Sequence, residues 1–315
     1  MPELSYSEGG ALPKSAPAWA LAASERLRKK REMYGNQSTL KPPHESVKRV
    51  LLHSCCAPCS GAMVEEMHTS PFIDEVVIFF YNPNIHPRRE YEIRKEENKQ
   101  FAEQLGIDFV DCDYDVDNWY KRMKGMEYDP ERGHRCTECF DMRMERCALH
   151  AHENGFDAIA TTNSTSRWKD MQQVDESGFR AASRYEGLVY WSHNWQSDEM
   201  TIRKYQISAE REFYKQEYCG CSYSLRDSNE WRRANGIPKI QIGGDKAGIG
   251  NRYFSDPLMD AEEESQEVVD EFFAQAEEIA EAGNDVQERK KRLGVYKERR
   301  KTEAHDGKIN GFNNW

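Results

Sequence analysis

From about residue 48 to about residue 235, short runs rich in β-branched and aromatic residues alternate with polar segments long enough to be helices. Strands separated by ten or more helical residues cannot close as hairpins, so each must cross over and lie parallel to its neighbour. This alternation predicts an α/β fold, a parallel-sheet layer with helices on both faces. "VKRVLLHS", "DEVVIFFYN", "IDFVDCD", "FDAIATT" and "LVYWSHN" read as strands. Helices are expected at "SGAMVEEMH", "PRREYEIRKEENKQFAEQLG", "DNWYKRMKG", "TECFDMRMERCALHAHENG", "DESGFRAASRYEG" and "MTIRKYQISAEREFYKQE", the second closing on Gly106 as its C-cap residue. In such sheets functional groups gather beyond the carboxyl ends of the strands, near the point where strand order reverses. Three chemically rich segments fall there: "CCAPC", "NPNIHP" and "TTNSTS".

A chain of 315 residues accommodates one sizeable α/β domain with extensions at both ends. The expected division is a basic N-terminal extension over 1–47, the α/β domain over 48–235, and a C-terminal part over 236–315. In that last part Val268, Val269, Phe272, Phe273, Ala276, Ile279 and Ala280 recur at helical spacing, which predicts an acidic amphipathic helix followed by a basic tail. Residues 260–288 hold twelve acids and no Lys or Arg, and residues 289–301 hold eight basic residues and one acid. Such blocks are solvated or interacting tails. The Gly-rich "IGGDKAGIGNRYF" lacks the Lys-Ser/Thr ending of a phosphate-binding loop and reads as a linker. No apolar run is long enough to span a bilayer and no secretory signal is seen, so a cytoplasmic location without membrane contact is expected. A net charge of -11 argues against non-specific nucleic-acid binding over the whole surface, while leaving room for a local basic groove.

Reduced cytosolic thiols serve metals or redox chemistry more often than a disulfide framework. Of the nine cysteines, seven fall in three groups: Cys55, Cys56 and Cys59; Cys136 and Cys139; Cys219 and Cys221. The CxxC at 136 and 139 alone fits a redox pair, half of a zinc site, or two ligands of an iron-sulfur cluster. Adjacent thiolates can reach different irons of a cubane cluster, and the adjacent pair at 55 and 56 plus the CxxC supplies four ligands. "CGC" differs, because a disulfide across one residue closes a small strained ring that is easily reduced. Cys219 and Cys221 therefore read as a switchable dithiol, with Gly220 permitting the backbone angles. Cys112, within a strand, and Cys147, on a helix, read as buried thiols. Cys59 has three open roles: a substitute ligand, a ligand to a second metal, or a wall of the cavity.

"LLHSCCAPCS", "FFYNPNIHPRREYEIR", "RCTECFDMRMERCA", "ATT" and "YCGCSYS", in that order, closely resemble the cobalamin-independent epoxyqueuosine reductases of the QueH family, over about residues 48–224. The resemblance implies a sheet related to the adenine-nucleotide α-hydrolase layer and the last step of queuosine biosynthesis. That step is reduction of epoxyqueuosine to queuosine at the wobble position of a tRNA anticodon. It further implies a [4Fe-4S] cluster on Cys55, Cys56, Cys136 and Cys139, a redox-active disulfide of Cys219 with Cys221, and an external low-potential electron donor. A second mononuclear iron is left open, with Cys59 beside it and the epoxide oxygen as its Lewis base. One motif departs from the family's usual pattern: the paired threonines are followed by Asn163 and no Ser-Pro.

Removing an epoxide oxygen as water needs two protons, and His53, His86 and His134 flank the motifs as candidate donors. Arg88, Arg89, Tyr91 and Arg94 after "NPNIHP", and Arg167, Trp168 and Lys169 after "TTNSTS", suit contacts to an anticodon loop, and a solvated helix face explains the Arg residues equally well. Two rival classes stand beside this expectation. A cluster-dependent tRNA thiolation enzyme needs a Ser-Gly-Gly-x-Asp-Ser loop, and none follows the first strand. A zinc-binding nucleic-acid module would lack catalysis altogether.

Overall fold

A computed structural model describes residues 11–243 other than Asn36, Asp113 and Arg167. The expected acidic helix and basic tail, most of the Gly-rich stretch, and Arg167 as a tRNA contact lie outside the described residues. The elements in chain order are α1 (Ala18–Tyr34), β1 (Arg49–His53), α2 (Ala57–His68), β2 (Glu75–Phe80), α3 (Arg88–Leu105), β3 (Phe109–Asp111) and α4 (Val116–Met123). They continue with α5 (His134–Glu153), β4 (Ala158–Thr161), a 3₁₀ turn (Thr162–Thr165), α6 (Met171–Ala182), β5 (Val189–Tyr190), α7 (Asp198–Glu210) and α8 (Ser222–Ala234).

The five strands form one wholly parallel sheet in the order β3-β2-β1-β4-β5. Leu51 at its centre pairs with Val77 on one side and Ile159 on the other. The alternation of side chains along a strand splits the core into two layers. Val50, Leu52, Val76 and Ile78 face Met63, Val64 and Met67 of α2, Phe101 of α3 and Ile207 of α7. Leu51, Val77, Phe79 and Ile159 face Met142, Met144, Cys147 and Ala148 of α5, Ala181 of α6 and Tyr223 of α8. Both faces are covered, as the near-continuous apolar runs of β1 and β2 require. The chain builds outward from β1 through β2 to β3, then crosses back to lay β4 against the other edge of β1. The reversal therefore lies between β1 and β4, and the crevice beyond their carboxyl ends is where such a sheet binds ligands.

Gly106 caps α3 in the left-handed conformation, φ 66°, as its position predicts. Other boundaries differ from the sequence pattern. α7 stops at Glu210 rather than near Glu217, because Phe213 turns in against Phe101, ring centroids 5.2 Å apart, and Tyr214 is drawn to buried carboxylates. β5 keeps two residues, and Cys112 stands one residue past β3 with its N–H still bonded to Phe80 O at 3.0 Å. α1 docks on α7 through Ala20, Ala23 and Leu27 around Ile202, with Arg26 3.5 Å from Asp198. Among the described residues no helix is long and apolar enough to cross a membrane.

Candidate active site

β1 ends at His53, and within three residues the chain turns into α2, with Cys56 as N-cap residue and Pro58 in the first turn. This tight turn brings three thiols together at the β1–β4 crevice. The sulfurs of Cys55, Cys56 and Cys59 all lie within 4.8 Å of one another, and those of Cys55 and Cys56 are 3.7 Å apart. The group can hold a metal ion, and it includes Cys59, which the sequence leaves unplaced. Hydrogen bonds from Cys56 and Cys59 hold the Cys55 thiol well below its ordinary value, with help from Lys169 and the Thr162 hydroxyl. The bond to Cys55 pushes Cys59 up to about 12, and burial raises Cys56. Negative charge thus settles on Cys55 first, and the other two keep their protons until a cation displaces them.

The turn after β4 props this group from the side. The Cys55 N–H donates to Thr162 Oγ1 at 3.2 Å, the Thr162 hydroxyl approaches Cys55 Sγ at 3.6 Å, and the Thr165 hydroxyl donates to Cys59 O at 3.1 Å. Asn163, the departure from the family motif, is buried in the same turn, and neither end of its amide has a hydrogen-bond partner among the described residues.

Cys136 and Cys139 occupy the first two turns of α5, one turn apart on one side of the helix. Burial pushes Cys136 up to about 12, against the pull of Arg135, and the thiols of Cys219, Cys221 and Cys139 raise it further. Arg132, at φ 64°, turns its N–H toward Cys136 Sγ at 3.3 Å. Cys136 and Cys139 do not join the compact group at 55, 56 and 59, but Cys136 lies near enough to Cys219 and Cys221 to feel their sulfurs. That pair in turn reaches back: Lys169 Nζ donates to Cys219 Sγ at 3.1 Å, and its charge also acts on Cys55. Burial works against the Lys169 ammonium, but the sulfurs of Cys219 and Cys55 more than offset it and raise its pKa. All nine cysteines are free, so the pair at 219 and 221 is a dithiol, with Cys219 exposed and Cys221 capping α8 by accepting the Ser224 N–H at 3.3 Å. Burial pushes Cys221 up to about 11.

The loop carrying the pair is clamped by Arg94, which sequence reasoning assigns to RNA. Its guanidinium is buried, pairs with Glu90 at 2.7 Å, and donates to the carbonyls of Cys219 and Tyr218 at 3.2 and 3.3 Å. Tyr91 is buried as well, its hydroxyl on Cys112 O, so neither residue is open to an anticodon loop. Lys169 is turned to sulfur, whereas Arg88 is exposed, and Arg89 and Trp168 are half-buried.

Of the three histidines, His53 is fully buried with Nδ1 2.8 Å from Thr161 Oγ1 and Nε2 3.1 Å from Tyr81 O, and burial lowers it to about 3. Both nitrogens are engaged and the ring is neutral, which makes it a strut between β1 and β4. His86 is lowered by burial to about 4; its backbone N–H donates to Gly220 O at 2.8 Å, and its Nε2 has no partner among the described residues. His134 is exposed, 3.9 Å from Glu138. The two buried rings set an acid limit on the fold. Below pH 6.5 the unfolded chain takes up protons that the folded chain refuses. Each ring therefore removes up to about 1.4 kcal/mol of stability per pH unit until its folded value is reached. Stability is expected to be full above pH 6.5 and to fall from there to about pH 4 through both rings and on to about pH 3 through His53 alone, seen as a lower urea midpoint at pH 5 than at pH 7. His53→Gln should flatten that slope, and equal midpoints at the two pH values would contradict it.

The model of the family described as epoxyqueuosine reductase QueH matches residues 50–227. The chain belongs to the QueH family. Epoxyqueuosine reductase QueH of Histophilus somni is 53% identical over 224 residues, covering 70% of this chain and 91% of that one. The QueH of Acinetobacter baylyi is 55% identical over 199 residues, 63% of this chain and 90% of its own. The QueH of Thermotoga maritima is 30% identical over 185 residues, 58% and 92%. Among solved structures, the U34-tRNA thiolase NcsA from Methanococcus maripaludis, with its [4Fe-4S] cluster, has a TM-score of 0.38 at 12% identity over 80% of this chain and 84% of that chain. The QueH match spans every cysteine group, and Trp119 and Gln216, which have no motif of their own in the sequence, lie inside it.

Proposed function

We propose that this chain reduces epoxyqueuosine to queuosine at the wobble position of a tRNA anticodon. It would do so in the reducing cytoplasm, with electrons from an external low-potential donor. Residues 48–235 would form the catalytic unit, and 1–47 and 236–315 its extensions. Membership of the QueH family supports the reaction, and one observation carries the chemistry: the thiols of Cys55, Cys56 and Cys59 meet at the β1–β4 switch point, with Cys219 joined to them through Lys169. Soft thiolates suit iron-sulfur chemistry. Cys55, Cys56, Cys136 and Cys139 would hold a [4Fe-4S] cluster, and Cys59 stands where a second mononuclear iron would find a ligand. Such a cluster, when bound, supplies electrons one at a time.

The reaction takes two electrons and two protons and releases the oxygen as water. The Cys219/Cys221 dithiol holds that complement: two thiols give up two protons and two electrons as they close a disulfide, and the epoxide becomes an alkene plus water. Lys169 carries a proton beside Cys219 and belongs to the acid side of the site. Asn163 offers a donor and an acceptor with no partner among the described residues and supports a contact to the modified base. Asn163→Leu is expected to stabilise the free protein by about 1–3 kcal/mol, since a buried unpaired amide is costly, and to raise KM for the tRNA. A stabilised variant with unchanged KM would remove Asn163 from the substrate contacts.

The deciding experiment is anaerobic incubation of the iron-loaded protein with epoxyqueuosine-containing tRNA and a strong reductant, the nucleosides being read by mass. Queuosine is expected. A colourless zinc protein, or turnover of the free nucleoside alone, would defeat the proposal.

A further inference from the structure

Each of the four sulfurs assigned to the cluster has its own hydrogen-bond donor, and the four donors come from four different parts of the chain. Gln216 Nε2, from the segment after α7, donates to Cys56 Sγ at 2.8 Å. Trp119 Nε1, from α4, donates to Cys139 Sγ at 3.4 Å. The Arg132 N–H, before α5, meets Cys136 Sγ at 3.3 Å, and the Thr162 hydroxyl meets Cys55 Sγ at 3.6 Å. We infer that Gln216 and Trp119 are positioning residues that set the reduction potential of the iron-sulfur group by hydrogen-bonding its ligand sulfurs. The inference rests on the four-cysteine ligand set proposed above.

Two features mark these contacts as built. Gln216 and Trp119 are both almost wholly buried, and a neutral thiol is a poor acceptor for which to bury an N–H. A ligand thiolate is a strong one. Gln216 Oε1 has no partner among the described residues, so the amide is committed through its nitrogen alone. The Trp119 indole is oriented by Tyr120 and Tyr223, centroids 5.0 and 5.5 Å away. An electron added to a cluster spreads onto its sulfurs, so a bond to sulfur strengthens on reduction and stabilises the reduced form. Hydrogen bonds of this kind are among the protein's levers on cluster potential.

The test is an anaerobic redox titration of the loaded full-length protein, followed by absorbance and electron paramagnetic resonance, on wild type, Trp119→Phe and Gln216→Leu. Both variants are expected to keep the wild-type iron and sulfide content. At a fixed applied potential their ratio of reduced to oxidised cluster should fall by about tenfold, the 59 mV of a one-electron couple. Wild-type potentials in fully loaded variants would overturn the inference. So would loss of iron from both, which would make them assembly residues. If Trp119→Phe fails to fold, Gln216→Leu decides. A wild-type protein that binds no iron would instead fail the ligand set itself, and is told apart because no variant is involved.

Discussion

Cys219→Ser is expected to bind as much iron as the wild type and to lose turnover by at least about a thousandfold, as removal of one member of a catalytic unit does. Cys136→Ser is expected to do the reverse in its first step, losing iron and colour. The contrast follows from where the sulfurs sit. Cys136 is half-buried in the first turn of α5, with the Arg132 N–H at 3.3 Å, a setting that favours a ligand. Cys219 is exposed, has a cation rather than a neutral donor at 3.1 Å, and is separated from Cys221 by a single glycine. An exposed thiol beside an ammonium is the one an external reductant or substrate meets first. Iron content and single-turnover product, measured on the same anaerobic samples, decide the matter. Cys219→Ser without iron would move Cys219 into the ligand set, and a fully loaded Cys136→Ser would remove Cys136 from it.

The sheet was legible because its signal is local and repeated. β1 and β2 are apolar runs buried on both faces, and helix α2 between them leaves parallel pairing as the sole connection. The site's position follows from the same logic, since "CCAPC" and "TTNSTS" must meet if β1 and β4 are neighbours. What stayed hidden depends on contacts distant in sequence. α3 reads as a solvated polar helix, yet Glu90, Arg94, Glu97 and Asn98 are all buried on it. Hydrophobic periodicity is blind to a face whose polar groups are satisfied by residues distant in sequence, 44 to 124 positions away. Glu97 accepts the Tyr214 N–H, Glu90 the Tyr214 hydroxyl, and Asn98 the Ser54 hydroxyl next to Cys55. Arg94 and Tyr91 were therefore misassigned to RNA. Trp119 and Gln216 carried no signal at all, because a lone Trp on an amphipathic helix and a Gln in a loop have no spacing to betray them.

Breaking the Glu90–Arg94 pair should be the most damaging change outside the thiols. Both side chains are essentially inaccessible, and Glu90→Leu leaves a guanidinium buried without its carboxylate, which costs about 3–5 kcal/mol. Replacing both, Glu90→Leu with Arg94→Met, removes the stranded charge and should recover much of that loss, since apolar substitutes for buried pairs are often tolerated. Turnover should not recover with it. Arg94 also donates to the carbonyls of Cys219 and Tyr218, and its Nη1 lies only 2.9 Å from where a side-chain carbon on Gly220 would stand. Gly220 itself takes φ 128°, a conformation that few other residues adopt. The loop and the guanidinium are thus fitted to each other. Without the clamp the dithiol keeps its sequence but loses its fixed approach to Lys169 and the cluster ligands. Urea denaturation separates the two effects from single-turnover rates measured on the same variants. A double variant with both wild-type stability and wild-type turnover would show that the clamp is dispensable, and one that stays as unstable as Glu90→Leu alone would show that the buried charge was not the cause.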